Sequence, residues 1–89
     1  MITSTFRTNA QGWLIGTVEL DGSLLDVQAK AFTEGSGYGM ALDPRISKLC
    51  VAIAATGACL FNYDRGLDVN HLTDDGLALI VAEVAKAIR

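Results

Sequence analysis

The chain has few of the residues from which enzymes usually build their sites. Its 89 residues include one histidine, two cysteines, one proline and one tryptophan. A structural metal site needs about four converging ligands, and a general base needs an orienting partner and a pocket. His71 has Asp68 and Asn70 nearby in sequence. We therefore expect no catalytic residue, no metal ligand and no cofactor.

The chain also lacks an excess of positive charge. Seven lysine and arginine residues stand against ten aspartate and glutamate residues, which gives a net charge of −3. That sign is wrong for a protein held on phosphates by counterion release. Apolar runs stay well short of the ~18 residues that a transmembrane helix needs, and the first residues lack the pattern of a signal peptide. We expect neither nucleic acid nor a membrane as partner, and a cytoplasmic location.

The hydrophobic content is sufficient for one folded domain. Hydrophobic residues make up 51% of the chain, and a chain of this length has room for a single core. We therefore expect residues 1–89 to form one domain. Cys50 and Cys59 each lie within an apolar run, where a free cysteine behaves as a small hydrophobe. Both are expected to be reduced packing residues.

Two hairpins are predicted before a C-terminal helix. Segments 12–20 and 23–33 flank Asp21-Gly22, a pair typical of a type I′ turn, and segments 45–55 and 58–64 flank Thr56-Gly57. Glycines at positions 35, 37 and 39, followed by Asp43-Pro44, predict the loop between the hairpins. The expected fold is α+β: an antiparallel β-meander of about four strands with one C-terminal α-helix packed on one face. Residues 2–8 are a candidate fifth, edge strand.

The helix has both a start signal and an apolar stripe. Thr73 is a good N-cap, and Asp74 and Asp75 complement the positive end of the helix dipole. Apolar residues then recur at three- and four-residue steps, at Leu77, Ile80, Val81, Val84, Ala85 and Ile88. We expect this stripe to pack on the sheet face that carries Leu25, Val27, Leu49, Val51, Ile53 and Phe61.

Strand alternation places a second apolar set on the opposite sheet face. Its members are Trp13, Ile15, Leu24, Phe32, Ile46, Cys50, Ala52, Ala54 and Leu60. Exposed apolar patches of this kind usually mark interfaces. We predict a homodimer that packs sheet to sheet, with Trp13, Ile15, Phe32 and Leu60 as candidate interface residues. A strongly curled sheet that wraps its own core is the alternative.

The most unusual polar cluster joins Arg45 and Lys48 to the run Asn-Tyr-Asp-Arg-Gly at 62–66. Arg45 opens the strand that Asp64 closes in the second hairpin, so an ion pair between them is predicted. One interpretation is a hydrogen-bonded corner that fixes the path of the chain toward the helix. The other is a binding patch, because tyrosine and arginine often anchor interfaces. The candidate patch consists of Tyr38, Arg45, Lys48, Asn62, Asp64 and Arg65.

Several short motifs occur in a characteristic order. Trp13 and Gly16-Thr17 precede Gly35-Ser36-Gly37-Tyr38-Gly39, which is followed by Arg45-Ile46-Ser47-Lys48-Leu49 and Asn62-Tyr63-Asp64-Arg65-Gly66. In this order the chain resembles a family of short uncharacterised bacterial and phage proteins, and it departs from their pattern at Leu67, where they carry tryptophan. The family has no assigned activity. The resemblance implies a phage or mobile-element context.

We therefore expect a non-enzymatic accessory protein that acts by binding another protein. The alternative is a small ligand-binding module or enzyme whose pocket lies between the glycine-rich loop and the Asn62 to Gly66 corner. In that case Tyr38, Arg45, Asp64 and His71 would converge. A third hypothesis, nucleic-acid binding, would require five basic residues to share one face, namely Arg7, Lys30, Arg45, Lys48 and Arg65.

Overall fold

The computed structural model describes residues 2–32 and 39–88. Its elements are β1 (Ile2–Thr8), β2 (Trp13–Leu20), β3 (Ser23–Ala31), β4 (Ile46–Ile53), β5 (Cys59–Asp64), β6 (Leu67–Asn70) and α1 (Asp74–Ala87). The strands form one antiparallel sheet in sequence order. The predicted α+β meander with one C-terminal helix is confirmed. The predicted strand number is wrong, because the sheet has six strands rather than four or five. The predicted glycine loop lies outside the described residues except for Gly39.

Of the two edge strands, the sequence predicts β1 as a candidate and gives no signal of β6. β1 is the candidate edge strand and pairs along its length with β2, from Ile2 opposite Leu20 to Thr8 opposite Leu14. β6 was not predicted. It forms because Arg65 adopts a left-handed φ of 57°, which reverses the chain so that residues 67–70 return along β5.

The first hairpin turn has the predicted geometry. Asp21 and Gly22 have φ values of 51° and 84°, and a type I′ turn requires positive φ at both central residues. Leu20 and Ser23 pair directly across it. The turn therefore sets the register that places Val18, Leu25 and Val27 on the same buried face.

The helix covers one face of the sheet and begins at the predicted cap. The Thr73 hydroxyl oxygen accepts a hydrogen bond from the backbone N–H of Gly76 at 3.0 Å. At the other side of the helix, the Ser4 hydroxyl donates to a Glu83 carboxylate oxygen at 2.7 Å, which ties α1 to β1. The buried core lies between helix and sheet and comprises Leu14, Val18, Leu25, Val27, Ala29, Met40, Ile46, Leu49, Val51, Phe61, Ile80, Val81 and Val84. No helix in the described residues is long and apolar enough to cross a membrane.

Two β-bulges change the face on which predicted residues lie. The pairing of β3 with β4 shifts between Lys30 and Ala31 of β3, because Lys48 faces Lys30 while Ile46 faces Ala31. Ser47 is therefore an extra residue in β4. The extra residue reverses the alternation. Ile46 was expected on the face away from the helix, and it is instead fully buried in the core. A second shift lies between Val51 and Ala52 of β4, which pair with Phe61 and Cys59 of β5. Leu60, between these two β5 residues, therefore has no partner in β4.

β1 approaches β2 most closely at a glycine. A Cβ atom added to Gly16 would lie 1.9 Å from the Thr5 carbonyl oxygen and 2.9 Å from the Cα of Phe6. No L side chain fits such a space. The Phe6 ring instead covers the glycine, with its Cδ1 atom 2.9 Å from the same point. Gly16 therefore permits the tight packing of the edge strand.

Candidate functional site

The candidate site lies on the sheet face opposite the core, which we call the open face. It carries the side chains that alternate with the buried ones along β1 to β5. They form three rows across the strands: Trp13, Lys30, Lys48 and Asp64; Arg7, Ile15, Gln28, Cys50 and Asn62; and Thr5, Thr17, Asp26, Ala52 and Cys59. Hydrophobic, amide and charged groups of both signs are therefore mixed on one surface.

Trp13 is the centre of the first row. The Nζ atoms of Lys30 and Lys48 lie 5.7 and 5.8 Å from its ring centroid. Both distances are within the range of cation–π attraction, worth about 0.5–1 kcal/mol at exposed sites. Lys30 also donates to the Gln11 carbonyl at 2.9 Å. The strand register produces this arrangement, because Trp13 faces Lys30 and Lys30 faces Lys48.

The polar corner beside Trp13 contains four of the six predicted patch residues. Lys48 Nζ lies 3.6 Å from an Asp64 carboxylate oxygen, and Arg65 Nε lies 3.7 Å from the same oxygen. The Asn62 side-chain amide donates to Asp68 at 3.2 Å. These groups are exposed or half-buried, and such surface pairs contribute about 0–1 kcal/mol each. Their geometry orients the side chains more than it stabilises the fold.

Arg45 is not part of this corner, so its predicted ion pair with Asp64 is wrong. Arg45 instead binds Asp43 through two hydrogen bonds, from Nε at 3.0 Å and from a terminal guanidinium nitrogen at 2.7 Å. The Asp43 carboxylate also accepts from the Arg45 backbone N–H at 3.1 Å. The guanidinium holds the pKa of Asp43 below its ordinary value. Asp64 instead lies opposite Lys48 in the ladder, and Lys48 comes three residues after Arg45 in the chain.

Tyr38, the remaining predicted patch residue, lies outside the described residues. Gly39 next to it is described, and its carbonyl accepts a hydrogen bond from the Tyr63 hydroxyl at 3.1 Å. The chain from the glycine-rich segment is thus attached to β5 on the helix side of the sheet.

A shallow depression of about 300 Å³ connects Trp13 to the corner. Its lining residues are Trp13, Gln28, Lys48, Leu49, Cys50, Asn62, Tyr63 and Asp64. The indole supplies a flat apolar surface, and the amides and charges around it can donate or accept hydrogen bonds. Such a surface suits recognition of an amphipathic group.

The four predicted dimer-interface residues do not form one surface. Trp13 and Ile15 lie on the open face, as expected. Phe32 follows the end of β3 and is 51% exposed. Leu60 lies on the other side, because the β5 bulge turns it toward the helix, where it packs against the core. The predicted interface therefore has to be reduced to Trp13 and Ile15 with their open-face neighbours.

Sequence reasoning missed an apolar groove of about 750 Å³ beside the Asp21-Gly22 turn. It lies beside the start of α1 and is lined by Leu20, Asp21, Ser23, Leu24, Leu25, Ile53, Ala54, Ala55, Leu60 and Leu72. The bulge at Leu60 contributes to it, and alternation alone gives no signal of a bulge. Leu24 on its rim is 50% exposed.

The predicted convergence of Arg45, Asp64 and His71 is also wrong. The His71 backbone N–H donates to the Leu60 carbonyl at 2.7 Å. Asp64 is four residues farther along β5, which corresponds to about 13 Å of strand. Within residues 2–32 and 39–88, no three His, Cys, Asp or Glu side chains are grouped so that they could hold a metal ion.

Cys50 and Cys59 both lie on the open face. Burial raises the pKa of the Cys50 thiol, and the nearby Cys59 raises it further. Cys59 is exposed and its thiol contacts the Phe61 carbonyl at 3.6 Å. Both cysteines are free, and neither is a fully buried packing residue of the core.

A family model described as a domain of unknown function, DUF7678, matches residues 12–88. The chain belongs to the DUF7678 family. The match spans β2 to α1 and thus includes the whole open face except the residues of β1. The DUF7678 match confirms the expected membership of a family without assigned activity. No curated protein and no solved structure matches this chain.

Proposed function

We propose that this DUF7678 chain is a non-enzymatic protein-binding module and that the open face is its binding surface. The observation that carries the proposal is Trp13, half-buried between two lysines on a sheet face that the helix does not cover. Tryptophan is a typical anchor of protein interfaces. The chemistry of the face favours a protein surface that presents carboxylates to the lysines and an apolar group to the indole.

The cellular setting is part of the same proposal. The resemblance of the motif order to that of short bacterial and phage proteins favours an accessory role in a phage or mobile-element context. Two free cysteines, Cys50 and Cys59, are typical of the reducing cytoplasm, and we place the protein there.

The test compares capture of proteins from host extract by immobilised variants. Trp13→Ala removes the indole and Asn62→Ala removes the amide of the corner. Lys86→Ala is the matched control, because Lys86 is 75% exposed on the helix, away from the open face. We expect a protein that the unmodified chain and Lys86→Ala retain and that both open-face variants lose. Equal retention by all four chains would contradict the proposal.

Nucleic-acid binding is a second candidate with one observation in its favour. Arg7, Lys30 and Lys48 share the open face with Trp13, and an aromatic ring between basic groups is typical of single-strand binding. Carboxylates offset three of the five basic residues, since Arg45 pairs with Asp43 and both Lys48 and Arg65 pair with Asp64. Retention on heparin at low salt that Lys48→Glu abolishes would favour this candidate. Passage without retention would reject it.

A further inference from the structure

Charges on the open face are separated along the strands. Lys30 and Lys48 lie in the row of Trp13, at the start of β2, whereas Glu19 lies at the other end of the same strand. Six residues separate positions 13 and 19, about 20 Å of strand. Asp26 lies between the two ends, in the row of Thr17. Asp64 also lies in the row of Trp13, where it pairs with Lys48. The row of Trp13 is therefore a basic end with a small positive excess, and the row of Glu19 is an acidic end.

We propose that the open face binds a second copy of this chain, with the two sheets packed face to face and their strands running in opposite directions. This inference rests on the proposed function and names the partner of the same surface. A two-fold axis that runs across the strands and crosses β2 at Gly16 exchanges positions 13 and 19. The register places the same axis at Val27 of β3 and Val51 of β4. The basic end of each copy then lies over the acidic end of the other.

The rows that this axis brings together have net charges of opposite sign, although the charged groups lie beside each other rather than directly opposite. Trp13 faces Glu19 of the other copy, and Lys30 faces Leu24, which is the ladder partner of Glu19. In the middle, Ile15 faces Thr17 and Cys50 faces Ala52, so apolar groups meet small or apolar ones. An axis parallel to the strands would instead place Lys30 and Lys48 over the same lysines of the other copy. Like charges placed opposite each other suppress a wrong pairing, and the charges therefore select one orientation.

The available area is sufficient for a small stable interface. Six strands spaced ~4.8 Å apart and about seven residues long present on the order of 550 Å² per copy, or about 1,100 Å² for two. This value just exceeds the ~1,000 Å² expected of a biological interface. Two twisted sheets pack at about −30° in this arrangement, which keeps the matched ends together.

The experiment measures solution mass by light scattering over a range of concentrations. We expect twice the chain mass of 9.4 kDa for the unmodified chain. Lys30→Glu adds a carboxylate beside Glu19 of the other copy, and Glu19→Lys adds an ammonium group beside Lys30 of the other copy. Each change is expected to raise the dissociation constant of the dimer at least about tenfold. The chain that carries both substitutions restores opposite charges and is expected to recover the dimer. Lys86→Glu, a charge reversal on the helix, serves as the control and leaves the dimer intact.

Three outcomes overturn the inference. The first is a monomer at all concentrations. The second is a dimer that both single reversals leave unchanged, which would place the interface elsewhere, for example along the edge strand β1. The third is a double variant that stays monomeric while circular dichroism shows it folded. A monomer whose capture of a host protein still depends on Trp13 would reject the second copy as partner and leave the proposed function standing.

Discussion

Substitution of Gly16 by alanine gives the sharpest test of how the edge strand is attached. The added Cβ atom would lie 1.9 Å from the Thr5 carbonyl oxygen, whereas ordinary contacts of such atoms are well above 3 Å. The obstacle is backbone rather than the end of a flexible side chain. Strands β1 and β2 must therefore move apart at this point, or β1 must leave the sheet.

The magnitude follows from what the separation disrupts. Overpacking of a filled site costs about 1–3 kcal/mol, and each strained ladder hydrogen bond next to Gly16 adds about 1 kcal/mol. We expect Gly16→Ala to lower the free energy of unfolding by about 2–4 kcal/mol. A domain of this length has a total free energy of unfolding of about 4–13 kcal/mol. Over most of that range the variant stays folded, and its free energy of unfolding can be measured.

The assay is urea denaturation followed by the fluorescence of Trp13, the sole tryptophan. Gly66→Ala is the matched control, because an added Cβ at Gly66 meets nothing within 4 Å and Gly66 has no positive φ. The control is expected to change stability by less than about 1 kcal/mol. Similar stabilities of Gly16→Ala and the unmodified chain would refute the close approach of β1.

Two further predictions concern the helix cap and the Asp43–Arg45 pair. Thr73→Ala is expected to lower the free energy of unfolding in urea by about 1 kcal/mol, because the backbone N–H of Gly76 loses its acceptor. Thr73→Ser keeps the hydroxyl and is expected to keep the cap. Equal effects of the two changes would contradict the cap. The pKa of Asp43 is lowered from 3.8 in the folded chain, so its carboxylate adds stability above that pH and loses it as pH falls through the lower folded value. The stability difference between the unmodified chain and Asp43→Asn should therefore be constant above about pH 5 and shrink at more acid pH; a difference that does not depend on pH would count against the pairing.

The fold class follows from local signals that do not depend on distant contacts. Asp21-Gly22 imposes its turn through backbone preference alone, and Thr73 caps the helix through a hydrogen bond to a residue three positions away. β6 escaped prediction because four residues are too few for a clear alternation. Its start depends on the left-handed conformation of Arg65, which nothing in that residue type favours.

The errors in the candidate site have two causes, namely β-bulges and competition from a residue nearby in sequence. A single extra residue reversed the facing of Ile46, and another turned Leu60 toward the helix. Alternation cannot reveal either of them, since a bulge is a property of two strands together. Arg45 was assigned to Asp64 across the hairpin, but Asp43 is only two residues away and satisfies the guanidinium first. Lys48, Asn62, Asp64 and Arg65 lie together in the corner, and Trp13 and Ile15 lie on the face where the sequence placed them.

The order of the strands also has a consequence for how the chain folds. Each strand pairs with its neighbour in sequence, so most ladders close over short turns and the loop-closure entropy per step is small. Low contact order is associated with fast folding. A hydrogen bond of very long range joins Ser4 to Glu83, 79 residues apart. The sheet can therefore form one hairpin at a time. Docking of the helix against β1 and β2 then completes the domain and brings the two ends of the chain together.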